Sequence, residues 1–195
     1  MSVTRVLMVL AAVLLLSGAV YGDIQLVDQG LDYLSDTGGT NWFHDPSVIT
    51  DHSPYYRGAW EDWDWTHDFS ALVPDDATGI QWAQIAISAW DVDSDEGQID
   101  VVYANGEELG VLSGTGGRYW GTTYLTLTPD AVDDLWEDGE VTIFLDIDSD
   151  NTGHRLTLNG STLTVAYIVG EAVPEPATIA LLGLGGLALL RRRRS

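Results

Sequence analysis

From His67 to Gly170 the chain is written in short apolar runs divided by turn residues, the pattern of antiparallel β-structure. Residues 80–90 alternate: Ile85, Ile87 and Ala89 fall on one side, Trp82, Gln84, Ser88 and Trp90 on the other. A half-buried strand has this period of two. Residues 99–104 and 107–112 flank Asn105-Gly106, a pair that accepts positive φ at both positions and so predicts a type I′ hairpin. That register sets Val102 opposite Leu109 on one face. Residues 114–117 form a glycine-rich loop, and 119–128, rich in threonine and aromatics, a further strand. Thr128 caps and Pro129 opens a short helical turn over 130–136. Asp138-Gly139 then turns the chain into a strand at 141–147, and 156–158 and 162–169 form a last hairpin around Asn159-Gly160.

Residues 23–66 are less regular, interrupted by Gly38-Gly39, Pro46 and Pro54, with a first strand expected at 24–27. No amphipathic helix of any length is expected between Asp23 and Gly170. About eight short strands with tight turns indicate an all-β fold, a two-sheet antiparallel β-sandwich of jelly-roll-like type. A closed barrel suits the unequal loops less well.

The two ends read differently. Residues 1–22 carry Arg5, an apolar core over 6–16 and small residues after it, the layout of a secretory signal peptide. Cleavage after Gly22 would leave Asp23 as the mature N-terminus, and Ala19 is the alternative cleavage point. The β-sandwich domain is therefore expected at residues 23–170. Residues 171–176 form a linker with Pro174, Glu175 and Pro176, where the prolines fit neither a continuing helix nor a central strand. Residues 177–190 are apolar and, as a helix at ~1.5 Å per residue, about 21 Å long. A hydrocarbon core is about 30 Å thick, so this transmembrane helix is short for a permanent span. Arg191, Arg192, Arg193 and Arg194, in the basic tail 191–195, would stay on the cytoplasmic side of a membrane.

This tail resembles the PEP-CTERM sorting signal of Gram-negative bacteria, also catalogued as the ice-binding protein C-terminal domain. The resemblance rests on Pro174, Glu175 and Pro176, the apolar stretch 177–190, and the stop at Arg191–Arg194, in that order. It implies an exosortase, a membrane-embedded cysteine transpeptidase, as processing partner. It also implies a membrane-anchored precursor and a final place at the cell surface or in the extracellular matrix. The hosts of such tails usually make extracellular polysaccharide, so a matrix role follows from the resemblance. An ordinary single-span membrane anchor is the alternative reading of the same residues.

Charge narrows the partners of the middle. Between Asp23 and Gly170 stand 28 carboxylates and three arginines, Arg57, Arg118 and Arg155, a net charge near −25, and the chain has no lysine. Such a field repels nucleic acid and anionic lipid and attracts divalent cations. Zero cysteines exclude a disulfide framework, a thiol nucleophile and a thiolate metal site.

Two acidic ladders supply candidate metal ligands: Asp91, Asp93 and Asp95 after one strand, and Asp146, Asp148 and Asp150 after another. Carboxylates two apart in an extended chain point the same way, and oxygen-only ligands favour Ca²⁺. Neither ladder is an EF-hand, since the sixth positions are Glu96 and Asn151. The parities of the ladders differ, so one shared ion needs a bulge to bring them together. Solvated acidic loops are the plainer reading.

Trp60, Trp63, Trp65 and Trp120 are candidate ligand-binding residues, because flat aromatic faces beside carboxylates suit the apolar faces and hydroxyls of sugars. Core packing competes for the same tryptophans. Catalytic motifs are lacking: there is no G-x-S-x-G, no H-E-x-x-H and no zinc spacing among His44, His52, His67 and His154. The sequence thus reads as an exported, sorted surface or matrix protein that is not an enzyme. Its acidic sandwich acts as a glycan-binding or structural module, stabilised by calcium if the ladders bind it. A secreted glycoside hydrolase or lyase working through paired carboxylates is the alternative.

Overall fold

The computed structural model describes residues 23–32, 43–47, 55–114 and 118–170. The signal peptide, the Pro-Glu-Pro linker, the hydrophobic helix and the arginine tail lie outside the described residues. The strands are β1 (Asp23–Asp32), β2 (Arg57–Gly58), β3 (Trp63–Asp68), β4 (Ala77–Trp90) and β5 (Val101–Ala104). They continue as β6 (Glu107–Val111), β7 (Trp120–Thr126), β8 (Glu140–Asp146) and β9 (Arg155–Val169), and one helix, α1 (Pro129–Asp138), lies between β7 and β8. One sheet has the order β1-β9-β4-β7 with β2 paired to β9, and the other β3-β8-β5-β6. The pairs β2–β9, β3–β8, β4–β7, β5–β6 and β5–β8 are all antiparallel.

The alternation in the sequence explains how the sheets close on each other. Ala83, Ile85, Ile87 and Ala89 of β4 are buried, as are Val141, Ile143 and Leu145 of β8 and Val102 and Ala104 of β5. These chains, with Leu158, Leu163, Val165 and Tyr167 of β9, form the core. β3 places Trp63, Trp65 and His67 opposite Leu145, Ile143 and Val141, so both tryptophans face inward. This strand was hidden in a stretch that reads as irregular, although W-D-W-T-H-D already alternates.

Three expectations need correction. The Asn105-Gly106 turn forms with φ of 48° and 88°, but Val102 faces Gly110, because the ladder shifts between Val102 and Tyr103 and leaves Leu109 as the extra residue. The Asn159-Gly160 hairpin does not form; both residues lie within the continuous strand β9. A Cβ on Gly160 would meet the Leu31 carbonyl at 2.8 Å, so this glycine lets the backbone of β1 approach. Finally, the expected helical turn is an amphipathic helix of ten residues, Pro129–Asp138, burying Ala131 and Leu135. Thr128 Oγ1 accepts from Ala131 N at 3.2 Å, and Gly139 ends the helix in the left-handed conformation at φ 75°.

Candidate functional site

The loops at one end of the sandwich are built on hydrogen bonds to buried acids. Gln98 and Asp100 are both buried in the β4–β5 connection. Gln98 Oε1 accepts from Asp93 N at 2.9 Å, and its Nε2 donates to both Asp100 oxygens at 2.9 Å. Asp100 Oδ1 also accepts from the backbone N–H of Asp148 at 2.9 Å. Asp148, fully buried, accepts through Oδ1 from Thr152 N at 3.1 Å and from the Thr152 hydroxyl. Its Oδ2 accepts from Gly153 N at 2.7 Å and His154 N at 3.1 Å. The two acidic ladders are thus joined, through Gln98 and Asp100.

This arrangement accounts for the titration of the acids. Burial pushes the Asp100 carboxyl up to about 6, against the hydrogen bonds from Asp148 and Gln98. Burial also opposes ionisation of Asp148, but the donors on Thr152 and Gly153 outweigh it and hold the carboxyl below its ordinary value. Asp146 is raised by burial and by the neighbouring charge of Asp62.

Asp91, Asp93 and Asp95 follow β4, and Asp146, Asp148 and Asp150 stand at and after the end of β8. Among the described residues no three His, Asp or Glu side chains gather as a metal site. The expected ladder geometry fails because Asp91 and Asp148 take left-handed φ of 63° and 49°, which breaks the alternation of an extended chain. Asp91 Oδ2 instead accepts from the Tyr56 hydroxyl at 3.2 Å, while Asp95 and Asp150 are exposed.

The braced β8–β9 loop forms one wall of an open cavity, and the β2–β3 turn forms the other. Arg57 pairs with Leu156 and Gly58 with Arg155, which fastens the turn to the start of β9. Glu61 N donates to the Gly58 carbonyl at 2.8 Å, and Gly58 N donates to Glu61 Oε2 at 3.3 Å. The turn lifts Trp60 into solvent, 90% exposed. The cavity, about 450 Å³, is lined by Trp60, Glu61, Asn151, Gly153, His154 and Arg155, together with Gly58 and Ala59. His154 Nδ1 is buried and has no hydrogen-bond partner.

Of the four candidate tryptophans only Trp60 is presented this way. Trp63 and Trp65, 7% and 8% exposed, pack on Phe43 at centroid distances of 5.1 and 6.0 Å and belong to the core. Trp120, part-buried, packs on Trp90 at 5.5 Å and lines a separate cavity of about 220 Å³ beside Val92 and Ser113. Sequence reasoning missed Asn151, His154 and Arg155, whose approach to Trp60 depends on a pairing across about a hundred residues of chain. His67 and Ser161 also meet, Nε2 to Oγ at 2.9 Å, but both are sealed in the core.

The PEP-CTERM protein-sorting motif matches residues 172–194, which marks the chain as exported and sorted and implies processing by an exosortase. No curated protein matches the chain. Among solved structures, the chain is similar to the CBM36-1 domain of a multidomain xylanase from the hindgut metagenome of Trinervitermes trinervoides. The identity there is 14% and the TM-score 0.40, over 75% of this chain and 100% of that one. It is also similar to BuGH86wt, solved in complex with neoagarooctaose, at 10% identity and TM-score 0.41 over 73% of this chain. Dimeric latent PorU from Porphyromonas gingivalis aligns at 11% identity and TM-score 0.39 over 76% of this chain. The chain spans only 19% and 13% of these last two proteins. Likenesses at this level carry no inference about a ligand.

Proposed function

We propose that this exported, sorted protein is a glycan-binding module of the bacterial surface or extracellular matrix, and that Trp60 is the ring on which a sugar stacks. The carrying observation is the position of Trp60, almost wholly exposed on a braced turn at the mouth of a 450 Å³ cavity. A large apolar ring held in water beside polar groups is what the C–H face and hydroxyls of a pyranose can use. The cavity volume falls in the ordinary ligand range of about 300–1,000 Å³. Glu61, Asn151 and Arg155 offer acceptors and donors for the hydroxyls.

The domain acts by binding, without turnover. The precursor is held in the membrane of a Gram-negative cell by residues 177–190 until the exosortase acts on Pro174–Pro176. Retention of the exported protein in native gels containing polysaccharide tests the binding. Trp60→Ala should abolish retention, while Trp82→Ala, a partly exposed tryptophan away from the cavity, should leave it unchanged. Equal retention of Trp60→Ala and the parent protein would end the proposal.

A further inference from the structure

Of the three arginines between Asp23 and Gly170, two stand in the β2–β9 ladder beside this cavity. Arg57 is engaged: its guanidinium lies 4.7 Å from the Trp63 ring centroid, and Nη1 donates to the Glu61 carbonyl at 3.3 Å. Arg155 is exposed, lines the cavity, and makes no side-chain hydrogen bond or ion pair among the described residues. In a span where carboxylates outnumber arginines by roughly nine to one, an arginine left without a carboxylate is unexpected. Glu61 does not take it, since Glu61 Oε2 is turned to the Gly58 N–H. His154 adds a second nitrogen without a partner, Nδ1, which is a donor in its N–H tautomer.

We infer that the Trp60 cavity takes a sugar residue bearing an anionic group, a carboxylate or a sulfate ester, with its ring on Trp60 and its anion on Arg155. This rests on the glycan-binding reading above. A guanidinium presents a planar fork of donors that matches such oxyanions two at a time. Gly58, opposite Arg155 in the ladder, leaves room for the arginine stem. A Cβ at position 58 would meet the His154 carbonyl at 3.0 Å and Arg155 Cγ at 3.2 Å. The net charge near −25 opposes a polyanion only over the distance that salt allows. At about 0.15 M the screening length is ~8 Å, so the groups lining the cavity decide the outcome.

The test is retention of the exported protein in native gels at this ionic strength. The gels contain polygalacturonate or its methyl ester, and dextran sulfate or dextran. One acidic polymer of the two should retain the protein more strongly than its neutral counterpart, which tells carboxylate from sulfate. Arg155→Gln should weaken that retention about tenfold, the scale of one lost charge-assisted contact. Arg118→Gln makes the same change in charge but lines no part of the cavity, and should leave retention intact. Equal weakening by both variants, or none by Arg155→Gln, overturns the inference. If Trp60→Ala still abolishes retention in that case, the glycan site stands and only its anionic preference falls. Failure of all four polymers to retain the protein overturns both readings.

Discussion

The backbone N–H of Asp148 donates to Oδ1 of Asp100 at 2.9 Å, and both residues are buried. With the bond from Ser149 N to the Ile99 carbonyl at 2.8 Å, it ties the β8–β9 loop to the β4–β5 connection and so braces the wall of the Trp60 cavity. Asp148 in turn must be an acceptor at both oxygens, since Thr152 donates to one and Gly153 and His154 to the other. Asp148→Asn would aim an amide N–H₂ at backbone donors whichever way it turned. A cost of about 3 kcal/mol is expected. The melting temperature should fall by roughly 6–12 °C. Because hydrogen bonds carry this loop, the fall should be the same in calcium, in EDTA, and in magnesium at matched ionic strength. A stabilisation peculiar to calcium and absent from the variant would show that an ion shares the site.

Acid should act on His67 and Asp100 in opposite directions. His67 is buried between Gln29 and Ser161, and burial lowers it from 6.5 to about 4. Its unfolded form takes up a proton first, so its contribution is lost as pH falls from 6.5 towards 4. Asp100, raised to about 6, behaves in reverse: the cost of burying its charge is relieved as pH falls from 6 towards 3.8. Each shift is on the order of a few kcal/mol, so the two oppose each other in the parent protein. Variants separate them. Measured by urea unfolding at pH 7 and pH 4, the stability of His67→Gln relative to the parent should rise on acidification. That of Asp100→Asn should fall. Differences that stay constant with pH would mean that neither group is buried in the unprotonated or charged form assigned here.

The two Asn-Gly pairs test how far local chemistry decides structure. Gly106, at φ 88° with nothing near its missing Cβ, should respond to backbone strain alone, and Gly106→Val should cost about 1–2 kcal/mol. Gly160→Ala should cost a similar amount for a different reason, overpacking against Leu31 and Asp32 of β1. Hydrogen exchange distinguishes them: Gly106→Val should loosen the β5–β6 hairpin, Gly160→Ala the amides of β1. Loosening of the same strands by both would contradict the register described here.

Alternation made β4, β5 and β8 legible, and Thr128-Pro129 located the helix. The continuity of β9 through Asn159-Gly160 was not legible, because that pair offers the same turn signal whether or not a neighbouring backbone claims the glycine. The tryptophans divide on the same ground. Trp63 and Trp65 sit two apart on a strand and face the core, whereas Trp60 precedes that strand in a turn. Sequence spacing alone gives all three as one cluster. Arg155 could be reached from the sequence only by its rarity in an acidic span, since its nearness to Trp60 depends on the Gly58–Arg155 pairing.

The last prediction concerns the ends of the chain. The sorting motif matches residues 172–194, and in the function proposed above the apolar stretch 177–190 would serve as a transient hold. As a helix it would reach about 21 Å across a core of ~30 Å, and that shortfall must be met by thinning the bilayer or by snorkelling of the four arginines. A permanent anchor would bear that cost continuously; a processing intermediate bears it only until cleavage. Intact-mass measurement on surface-extracted protein should therefore find a species lacking both residues 1–22 and residues 177–195. In cells without exosortase activity, the mass of Arg191–Arg194 should remain. Recovery of the arginines in surface protein from normal cells would instead identify a plain single-span anchor.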